Sequence, residues 1–553
     1  MHIDMSGNNT GKRKVWTPLL FSLILILGMF LGFKLRDILR NKRDIQTIIE
    51  RNDRLEEVID LINEKYVDTV NTNVLYKDAM SGILSHLDPH TVYIPADELE
   101  SVNEDLEGGF FGIGVEFSIV RDTIEVTSLV EGGPAEHAGM EIGDQLIKVG
   151  DSVVAGQKIT SERIIRMLKG KQYSHVLLTV KQPFSNLQRH INITRDVIPI
   201  HSVEASIMLD NVTGFIKIDR FSANTYDEFK TALKELKSQG LQQLIIDLRE
   251  DPGGFLDAAT NIADQFLDDN KLIVYTKGQH SPRQEYRAEK NGMFEKGRLA
   301  ILVDESSASA SEILAGAVQD WDRGVIIGRR TFGKGLVQEQ YELDDGSALR
   351  LTIAKYYTPS GRCIQRSFAK GKEVYEEDFE KRFQDGELTG KDINSIQDTT
   401  RYYTANHRLV YGGGGIKPDV YVPYDTSRIS MSLLNMLYSE NLKNVLWDYY
   451  LNNRAKLIFK NIQDYKERFK AENELASRYV ADLKNVQERK VAVKILSSPF
   501  AAEYFRLHIK AQMARYLFKD NGYYAVMAQD DNAIQKAMQI IHSDNYLQLV
   551  RRQ

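Results

Sequence analysis

The chain has 553 residues, of which 42% are hydrophobic and 27% charged, and its formal net charge is −6. This length exceeds what one hydrophobic core usually serves, so we expect several domains. The composition is that of a folded protein, and the acidic net charge argues against a general nucleic-acid-binding surface. Cys363 is the single cysteine, which excludes an intramolecular disulfide and a cysteine-rich zinc site.

An apolar run without a charged residue lies near the N-terminus, at residues 15–33. As a helix it would be about 28 Å long, close to the roughly 30 Å of a bilayer's hydrocarbon core. We therefore predict a transmembrane anchor. The alternative is a cleaved secretory signal, but the run is long for one and no small-x-small cleavage site follows it. Basic residues flank both ends, so charge alone does not orient the anchor.

Residues 41–105 carry apolar positions at helical spacing, which predicts an N-terminal helical region. His86 and His90 near its end are four residues apart, as two metal ligands on a helix would be. Pro89 breaks the helix between them and no third ligand completes a motif, so we prefer a turn and predict no metal site.

From residue 106 to 197, short alternating runs are separated by glycine turns, which predicts a small, mostly β domain. Its motifs FGIGVEF, GGPAEHAG and GDQLIKVGD resemble, in this order, those of a PDZ domain. In that family a glycine-rich loop offers backbone N–H groups to the C-terminal carboxylate of a peptide. The resemblance places the loop at Phe111, Gly112, Ile113 and Gly114, whereas the alternative is that its glycines only form tight turns.

Residues 198–425 alternate apolar strands with helical stretches, which is typical of an α/β fold. Residues 426–553 are strongly helical and contain no evident catalytic constellation. The common hydrolase patterns G-x-S-x-G and H-E-x-x-H are absent from the whole chain, as is a Walker A motif.

A serine-rich run from Ser306 to Glu312 lies between an apolar strand and a helix. Its tiny side chains permit close approach of a substrate, and a helix start offers free N–H donors to a developing oxyanion. Taken alone, the run is more simply explained as helix-capping serines, with Glu312 completing a capping box for Ser309.

Lys334 follows in the segment TFGKGLVQ, between two glycines. Taken alone, such a lysine more often lies in an exposed turn, and a phosphate site would require a fuller glycine-rich loop before a helix. In a pocket without water, however, burial lowers a lysine pKa from about 10.4 toward roughly 7–8, where the amine can accept a proton. Together the two motifs favour a serine nucleophile with a lysine base.

Three segments, LVDESSASASEILAGAVQD, RTFGKGLVQ and GSALRLTIAKYYTPSGRCI, resemble the core of the C-terminal (tail-specific) processing peptidases, a Ser-Lys protease family. The similarity extends from Asp88 to Val420. It implies that Ser309 is the nucleophile, that Lys334 is the general base and that Gln338 orients the lysine.

The segment IIDLR-x-x-PGG matches the same family and implies that the backbone N–H groups of Gly253 and Ala310 form the oxyanion hole. The family commonly has polar amides before the proline of this loop, where this chain has Glu250 and Asp251. Two carboxylates there would oppose the developing negative charge unless they point away from it.

The resemblance implies a membrane-anchored serine endopeptidase that cleaves proteins or peptides recognised by their free C-termini, without a cofactor or metal. It also implies a cytoplasmic-membrane location with the catalytic part on the extracytoplasmic, periplasmic side. The expected fold is a multidomain α/β (α+β) protease core with an inserted PDZ-like β domain, an N-terminal transmembrane helix and a helical C-terminal region. That helical region is a candidate for homo-oligomer contacts.

Two other classes of protein remain as alternatives. One is a non-catalytic, membrane-anchored PDZ scaffold that binds peptides, but a binding module has no reason to keep Ser309, Lys334 and Gln338 together. The other is a carboxylate-based hydrolase using Glu250 and Asp251, which is disfavoured because adjacent residues on a strand point to opposite faces.

Overall fold

The computed structural model describes residues 54–551, except for residues 186, 269, 290, 392–399 and 425–428. The transmembrane helix predicted at residues 15–33 lies outside the described residues. Within the described part, no helix combines the length and apolar character needed to cross a bilayer. The chain divides into two units, residues 1–86 and residues 87–553.

The described part of the first unit is helical. Helix α1 covers residues 54–65 and α2 covers Thr72–Leu84. The Asn71 side chain accepts a hydrogen bond from the Asn73 N–H at 3.1 Å and thereby caps the start of α2.

The second unit contains all the strands of the described part and the remaining helices. The strands are β1 (Val92–Ile94), β2 (Gly109–Gly112), β3 (Val115–Val120), β4 (Thr123–Leu129), β5 (Gln145–Val149), β6 (Ser152–Val153), β7 (His175–Lys181), β8 (Gln188–Thr194), β9 (Asp196–Pro199), β10 (Val203–Met208), β11 (Thr213–Ile218), β12 (Gln243–Asp247), β13 (Leu272–Lys277), β14 (Gln284–Arg287), β15 (Arg298–Val303), β16 (Val325–Gly328), β17 (Leu336–Glu342), β18 (Ala348–Tyr357), β19 (Arg401–Tyr403), β20 (Leu409–Tyr411) and β21 (Val420–Tyr421). The helices are α3 (Ala96–Glu107), α4 (Pro134–His137), α5 (Ser161–Leu168), α6 (Thr225–Ser238), α7 (Leu256–Asp264), α8 (Ala310–Asp320), α9 (Lys372–Glu376), α10 (Asp378–Gln384), α11 (Met431–Leu437), α12 (Glu440–Asn453), α13 (Ile462–Arg468), α14 (Glu472–Asp482), α15 (Val486–Leu496), α16 (Pro499–Met527), α17 (Asn532–His542) and α18 (Asn545–Val550).

A six-stranded sheet in the order β10-β11-β12-β15-β16-β21 forms the centre of this unit. Strands β10 and β11 are antiparallel, and the other neighbours are parallel. Helices α6, α7 and α8 cover one face, with Leu233, Ile262 and Leu314 in the shared core. Because both faces are buried, a central strand such as β15 (RLAILV) is almost continuously apolar. The predicted α/β core is confirmed.

The opposite face of the central sheet is covered by the two last helices. Ile534 and Ile541 of α17 and Tyr546 of α18 belong to the core on that face. The boundary predicted at residue 426 is therefore wrong in part, because α17 and α18 bury the second face of the sheet instead of joining a separate helical domain. The helices from α11 to α16 form another core around residues such as Trp447, which also includes Val120 of β3.

A second sheet has the order β1-β18-β13-β14, with β17 also paired to β18. Strand β1 lies within the segment predicted as helical, residues 41–105, and pairs Val92 with Arg350. This correction has a local cause. The β1 sequence VYI is β-branched and aromatic, and it directly precedes Pro95, which disfavours a helical conformation in the residue before it.

The predicted β domain consists of a sheet in the order β3-β4-β5-β7-β8, with β6 paired to β5. Its core contains Ile124, Leu146 and Leu178. The strands before and after it, β2 and β9, pair with each other in an antiparallel ribbon. The chain thus enters and leaves this domain through two adjacent strands, as expected for an inserted domain.

Candidate active site

The three segments predicted to carry the chemistry follow three neighbouring parallel strands. Residues 250–254 follow β12, Ser309 follows β15, and residues 331–335 follow β16. Since these strands are adjacent and parallel in the sheet, their carboxyl ends lie at one edge, where ligands of open α/β sheets usually bind.

Ser309 lies between β15 and α8, immediately before the first helical residue. Its backbone has φ 56° and ψ −112°, which is unusual for a residue with a Cβ and costs about 1–3 kcal/mol. Two hydrogen bonds hold this turn in place. The Ser309 N–H donates to Glu312 Oε2 at 2.9 Å, and the Tyr356 hydroxyl donates to the Ser309 carbonyl at 3.0 Å. In this conformation Ser309 lines the large cleft at the edge of the sheet.

Lys334 lines the same cleft, and its amine is held by Gln338. Lys334 Nζ donates to Gln338 Oε1 at 2.9 Å, while Gln338 Nε2 donates to the carbonyl of His90. The amide group of Gln338 is thus fixed at both ends. The structure therefore brings together the three residues that the family resemblance marks as catalytic.

The glycines on both sides of Lys334 permit close backbone contacts. A Cβ on Gly333 would lie 2.9 Å from the Gly415 nitrogen, and one on Gly335 would lie 2.9 Å from the Gln365 nitrogen. Gly333 also has φ 91°, in the region that favours glycine. The loop is therefore packed against its neighbours and is not an exposed turn.

Burial lowers the pKa of Lys334, because the charged ammonium loses its hydration. The Arg350 guanidinium lowers this pKa further by charge repulsion, whereas Asp88 and Glu312 raise it. The net direction is downward, toward the neutral amine that a general base requires.

Glu312 connects the serine and the lysine segments. Its fully buried carboxylate accepts hydrogen bonds from four donors: Ser309 N–H at 2.9 Å, Lys334 N–H and Gly333 N–H at 2.8 Å each, and the Thr331 hydroxyl at 2.5 Å. Burial raises the pKa of Glu312 to about 7, although these hydrogen bonds oppose the rise. From the sequence, Glu312 is only a capping partner of Ser309. Its contacts with the lysine loop depend on tertiary structure, and no local spacing indicates them.

Gly253 lies directly beside Ser309 and Ala310. A Cβ on Gly253 would come within 2.7 Å of the Ala310 nitrogen and 2.8 Å of Ser309 Cβ, and its φ of 91° also favours glycine. The Gly253 N–H is not free, however, because it donates to Asp251 Oδ1 at 2.8 Å. The Ala310 N–H has no acceptor among the described residues, as is usual for the first residue of a helix. Of the two oxyanion donors predicted, one is available here and the other is engaged.

The two acids before Pro252 have different environments. Glu250 is exposed, and its own N–H donates to Asp304 Oδ1 at 3.0 Å. Asp251 is fully buried, and its Oδ2 has no partner among the described residues. Burial raises the pKa of Asp251 to about 8, so this carboxyl group is largely neutral at pH 7. Neither acid therefore places a buried negative charge beside Ser309 at neutral pH.

The cleft has a volume of about 1010 Å³, at the upper end of the roughly 300–1,000 Å³ of small-molecule sites. Apolar residues such as Tyr226, Tyr286 and Ile313 line it, together with Ser309 and Lys334. A cleft of this size beside a serine and a lysine can hold several residues of an extended peptide.

Comparisons with known proteins identify the family of the chain. The model of peptidase family S41 matches residues 212–372, and a PDZ domain model matches residues 125–182. A probable CtpA-like serine protease of Staphylococcus epidermidis is 34% identical over 313 residues, which cover 56% of this chain and 62% of the relative. A probable CtpA-like serine protease of Staphylococcus aureus is 32% identical over 364 residues, which cover 64% of this chain and 71% of the relative. The chain belongs to peptidase family S41.

The resemblance of this S41 chain to the C-terminal processing peptidases, with a PDZ domain inserted, is thereby confirmed. The chain spans 62% of the length of the Staphylococcus epidermidis relative. Among solved structures, the photosystem II D1 C-terminal processing protease is 29% identical, with 56% of this chain and 89% of that protein covered and a TM-score of 0.33.

The predicted carboxylate-binding loop of the PDZ domain lies where β2 ends and β3 begins. Phe111 and Gly112 are strand residues paired with β9, whereas Ile113 and Gly114 form the turn, with φ 76° at Gly114. The carbonyls of Ile113 and Gly114 accept from Ala135 and Val130. No described residue accepts from the N–H groups of Ile113 and Gly114, although both residues are buried.

His90 contributes to the site of this S41 chain through its backbone. Its carbonyl accepts from Gln338, and its ring Nε2 lies 2.8 Å from the hydroxyl of Tyr375. Burial lowers the pKa of His90 to about 4, and the nearby Lys334 charge adds to this effect, so the ring is neutral.

Among the described residues, no cluster of three or more His, Cys, Asp or Glu side chains could hold a metal ion.

Proposed function

We propose that the chain is a C-terminal processing serine endopeptidase in which Ser309 is the nucleophile and Lys334 the general base. The observation that carries this proposal is the Lys334 amine, which lies in the cleft lined by Ser309, is held by Gln338 and has a pKa lowered by burial. A lysine in this environment can be neutral near physiological pH and can accept the proton of a serine hydroxyl.

In the proposed reaction, Ser309 Oγ attacks the peptide carbonyl and Lys334 Nζ takes its proton. Because the amine donates one hydrogen bond to Gln338, its orientation is restricted and its lone pair can face the hydroxyl. The same proton then passes to the leaving amine, and a water molecule activated by Lys334 hydrolyses the acyl-enzyme. The Ala310 N–H stabilises the oxyanion, and the Gly253 N–H joins it when it exchanges Asp251 for the oxyanion.

The PDZ domain, in this proposal, binds the free C-terminus of the substrate. The N–H groups of Ile113 and Gly114, which have no acceptor among the described residues, support this role, because two adjacent backbone donors suit a carboxylate. The membrane anchor and the extracytoplasmic location also belong to the proposal, and rest on the apolar run at residues 15–33 and on the family resemblance.

One experiment tests both parts. An unstructured polypeptide, with either a free or an amidated C-terminus, is incubated with the wild type, Ser309→Ala and Lys334→Ala. Lys355→Ala is the matched control, since Lys355 is an exposed lysine of β18. We expect the wild type and the control to cleave only the free-tailed substrate. We expect both site variants to lose about 10³-fold or more in kcat/KM, and a chelator to have no effect.

Three results would contradict parts of this proposal. Cleavage by Lys334→Ala at a rate near that of the wild type would eliminate the dyad. Equal cleavage of both substrates by the wild type would eliminate tail recognition. Binding of the free-tailed substrate without any cleavage would favour the PDZ scaffold instead.

A further inference from the structure

The charged side chains that line the cleft differ in solvent exposure. Its four carboxylates are all exposed, while its two cations are both partly buried. The carboxylates are those of Glu107, Asp227, Asp257 and Glu342, and the cations are Lys334 and Arg350. Salt and water screen exposed charges over about 10 Å, whereas buried charges are screened much less. Because Lys334 is a neutral base in the proposed reaction, Arg350 is the group that makes the interior of the cleft electropositive.

Arg350 is held in the cleft by a short chain of amides. Its Nη2 donates to Gln340 Oε1 at 2.8 Å, and Gln340 Nε2 donates to Asn103 Oδ1 at 3.1 Å. Among the described residues, the Arg350 guanidinium makes no other hydrogen bond and no ion pair. Because a guanidinium has five N–H donors, most of those of Arg350 are unused.

Three other arginines of the unit that are buried or partly buried, Arg195, Arg323 and Arg329, have more partners than Arg350. Arg329 pairs with Glu305, with 2.6 Å between Nε and Oε2. Arg195 and Arg323 each donate to three backbone carbonyls. Burial lowers the pKa of Arg350, and no neighbouring carboxylate opposes this effect. Arg350 is thus a partly buried cation without a counter-charge.

The strand register places Arg350 close to the proposed dyad. Gln338 holds Lys334 and Gln340 holds Arg350, and these two glutamines are two residues apart on β17. Residues two apart on a strand share a face and are separated by about 7 Å. An extended peptide that passes Ser309 in the cleft can therefore bring a second group to Arg350.

We propose that Arg350 is a specificity-determining residue that binds a carboxylate of the peptide held in the cleft. This inference rests on the proposed peptidase function, because it requires a bound peptide substrate. The carboxylate comes either from an Asp or Glu side chain near the scissile bond or from the free C-terminus of the substrate. A carboxylate suits the planar guanidinium because it can accept two parallel hydrogen bonds.

The test uses one unstructured peptide sequence in four forms. Mass spectrometry first locates the cleavage site. The peptide then has either Glu or Gln near this site, and its C-terminus is either free or amidated. The four peptides are cleaved by the wild type, Arg350→Gln, Arg350→Lys and the control Lys355→Gln. We expect the wild type and the control to prefer Glu over Gln by roughly tenfold or more in kcat/KM. The preference should disappear in Arg350→Gln and be partly kept in Arg350→Lys, which retains the charge without the planar fork.

The comparison between peptides separates recognition from other effects of the substitution. Lys334 faces three charged groups, namely Arg350, Asp88 and Glu312, so removal of Arg350 also raises the Lys334 pKa. That change affects the Glu and Gln peptides equally and cancels in their ratio. Cleavage of the Gln peptide by Arg350→Gln, together with an unchanged melting temperature, shows that the variant is folded.

The outcomes distinguish the two proposals. Failure of the wild type to cleave any peptide would overturn the peptidase function and this subsite with it. Cleavage with the same Glu preference in Arg350→Gln would overturn the subsite alone. An amidation effect that disappears in Arg350→Gln would identify the terminal carboxylate as the ligand. In a last outcome, the wild type shows no Glu preference, and Arg350→Gln still cleaves the free peptide faster than the amidated one. This outcome would assign tail binding to the PDZ loop and overturn the subsite.

Discussion

Two buried carboxyl groups lie on either side of Ser309, and their hydrogen bonding differs. Glu312, on the lysine side, accepts from four donors of the serine and lysine segments. The carboxyl group of Asp251, on the oxyanion side, accepts from the Gly253 N–H through Oδ1, and its Oδ2 has no partner among the described residues. Burial raises the pKa of both groups, to about 7 for Glu312 and about 8 for Asp251.

The difference shows which half of the proposed site is preorganised. Four hydrogen bonds to one carboxylate fix Ser309 and the Lys334 loop relative to each other, so this half is ready for reaction. On the other side, the hydrogen bond from Gly253 to Asp251 occupies a donor that the oxyanion would use. That half requires a local exchange of hydrogen bonds before both predicted donors can act.

The largest effect should follow from Glu312→Gln, which tests the preorganised half. The amide NH₂ would face N–H groups that now donate to the carboxylate, so buried donors would lose their acceptors. We expect a loss of about 2–3 kcal/mol in the free energy of unfolding, and a fall of roughly 100-fold in kcat with a smaller change in KM. Chemical denaturation and steady-state kinetics measure the two quantities.

Glu339→Gln is the matched control, because Glu339 is an exposed residue of β17. It should leave both quantities nearly unchanged. If Glu312→Gln kept wild-type kcat, Glu312 would have no positioning role and the contrast with Asp251 would have no functional meaning.

The sequence was most informative where a local motif carries the feature. Ser309, Lys334 and Gln338 were marked by resemblance, and the structure brings them to one cleft, while their roles stay predictions. The second role of Glu312 could not be predicted, since a capping box explains its local spacing and the lysine loop reaches it only in the folded chain.

Side-chain direction and long-range packing were harder to predict. The sequence places Asp251 next to the oxyanion loop, but does not reveal that its carboxyl group turns inward and binds the Gly253 N–H. Likewise, helical periodicity identifies α17 and α18 without showing that they cover the central sheet. The anchor at residues 15–33 and a homo-oligomer through the helical region stay predictions.

A smaller effect should follow from Gln338→Glu, which keeps an acceptor for the Lys334 amine but loses the donor to the His90 carbonyl. The new carboxylate would lie about 3 Å from Lys334 Nζ and would raise the lysine pKa, since it favours the ammonium. The acidic limb of the kcat/KM profile should move upward by about one pH unit, giving a loss of roughly tenfold at neutral pH and recovery at high pH. Gln384→Glu, at an exposed position of α10, should leave the profile unchanged. An unshifted profile in Gln338→Glu would exclude Lys334 as the group that titrates in that limb.

The smallest effect on activity should follow from Asp251→Asn, which tests the oxyanion side through pH. The folded pKa of Asp251 is raised from 3.8 to about 8, so its protonated form contributes stability that is fully present below about pH 4 and is lost as the pH rises through 8. Within that window the wild type should lose up to about 1.4 kcal/mol per pH unit relative to the asparagine variant, which cannot ionise. Melting temperatures from pH 5 to 8 measure this difference, with the exposed Glu250→Gln as control.

Above pH 8, ionised Asp251 would oppose the oxyanion, so the variant should retain activity a few-fold better than the wild type. Parallel pH profiles of stability and activity in the two proteins would mean that the Asp251 carboxyl does not titrate in this range, and that the two sides of Ser309 differ in geometry alone.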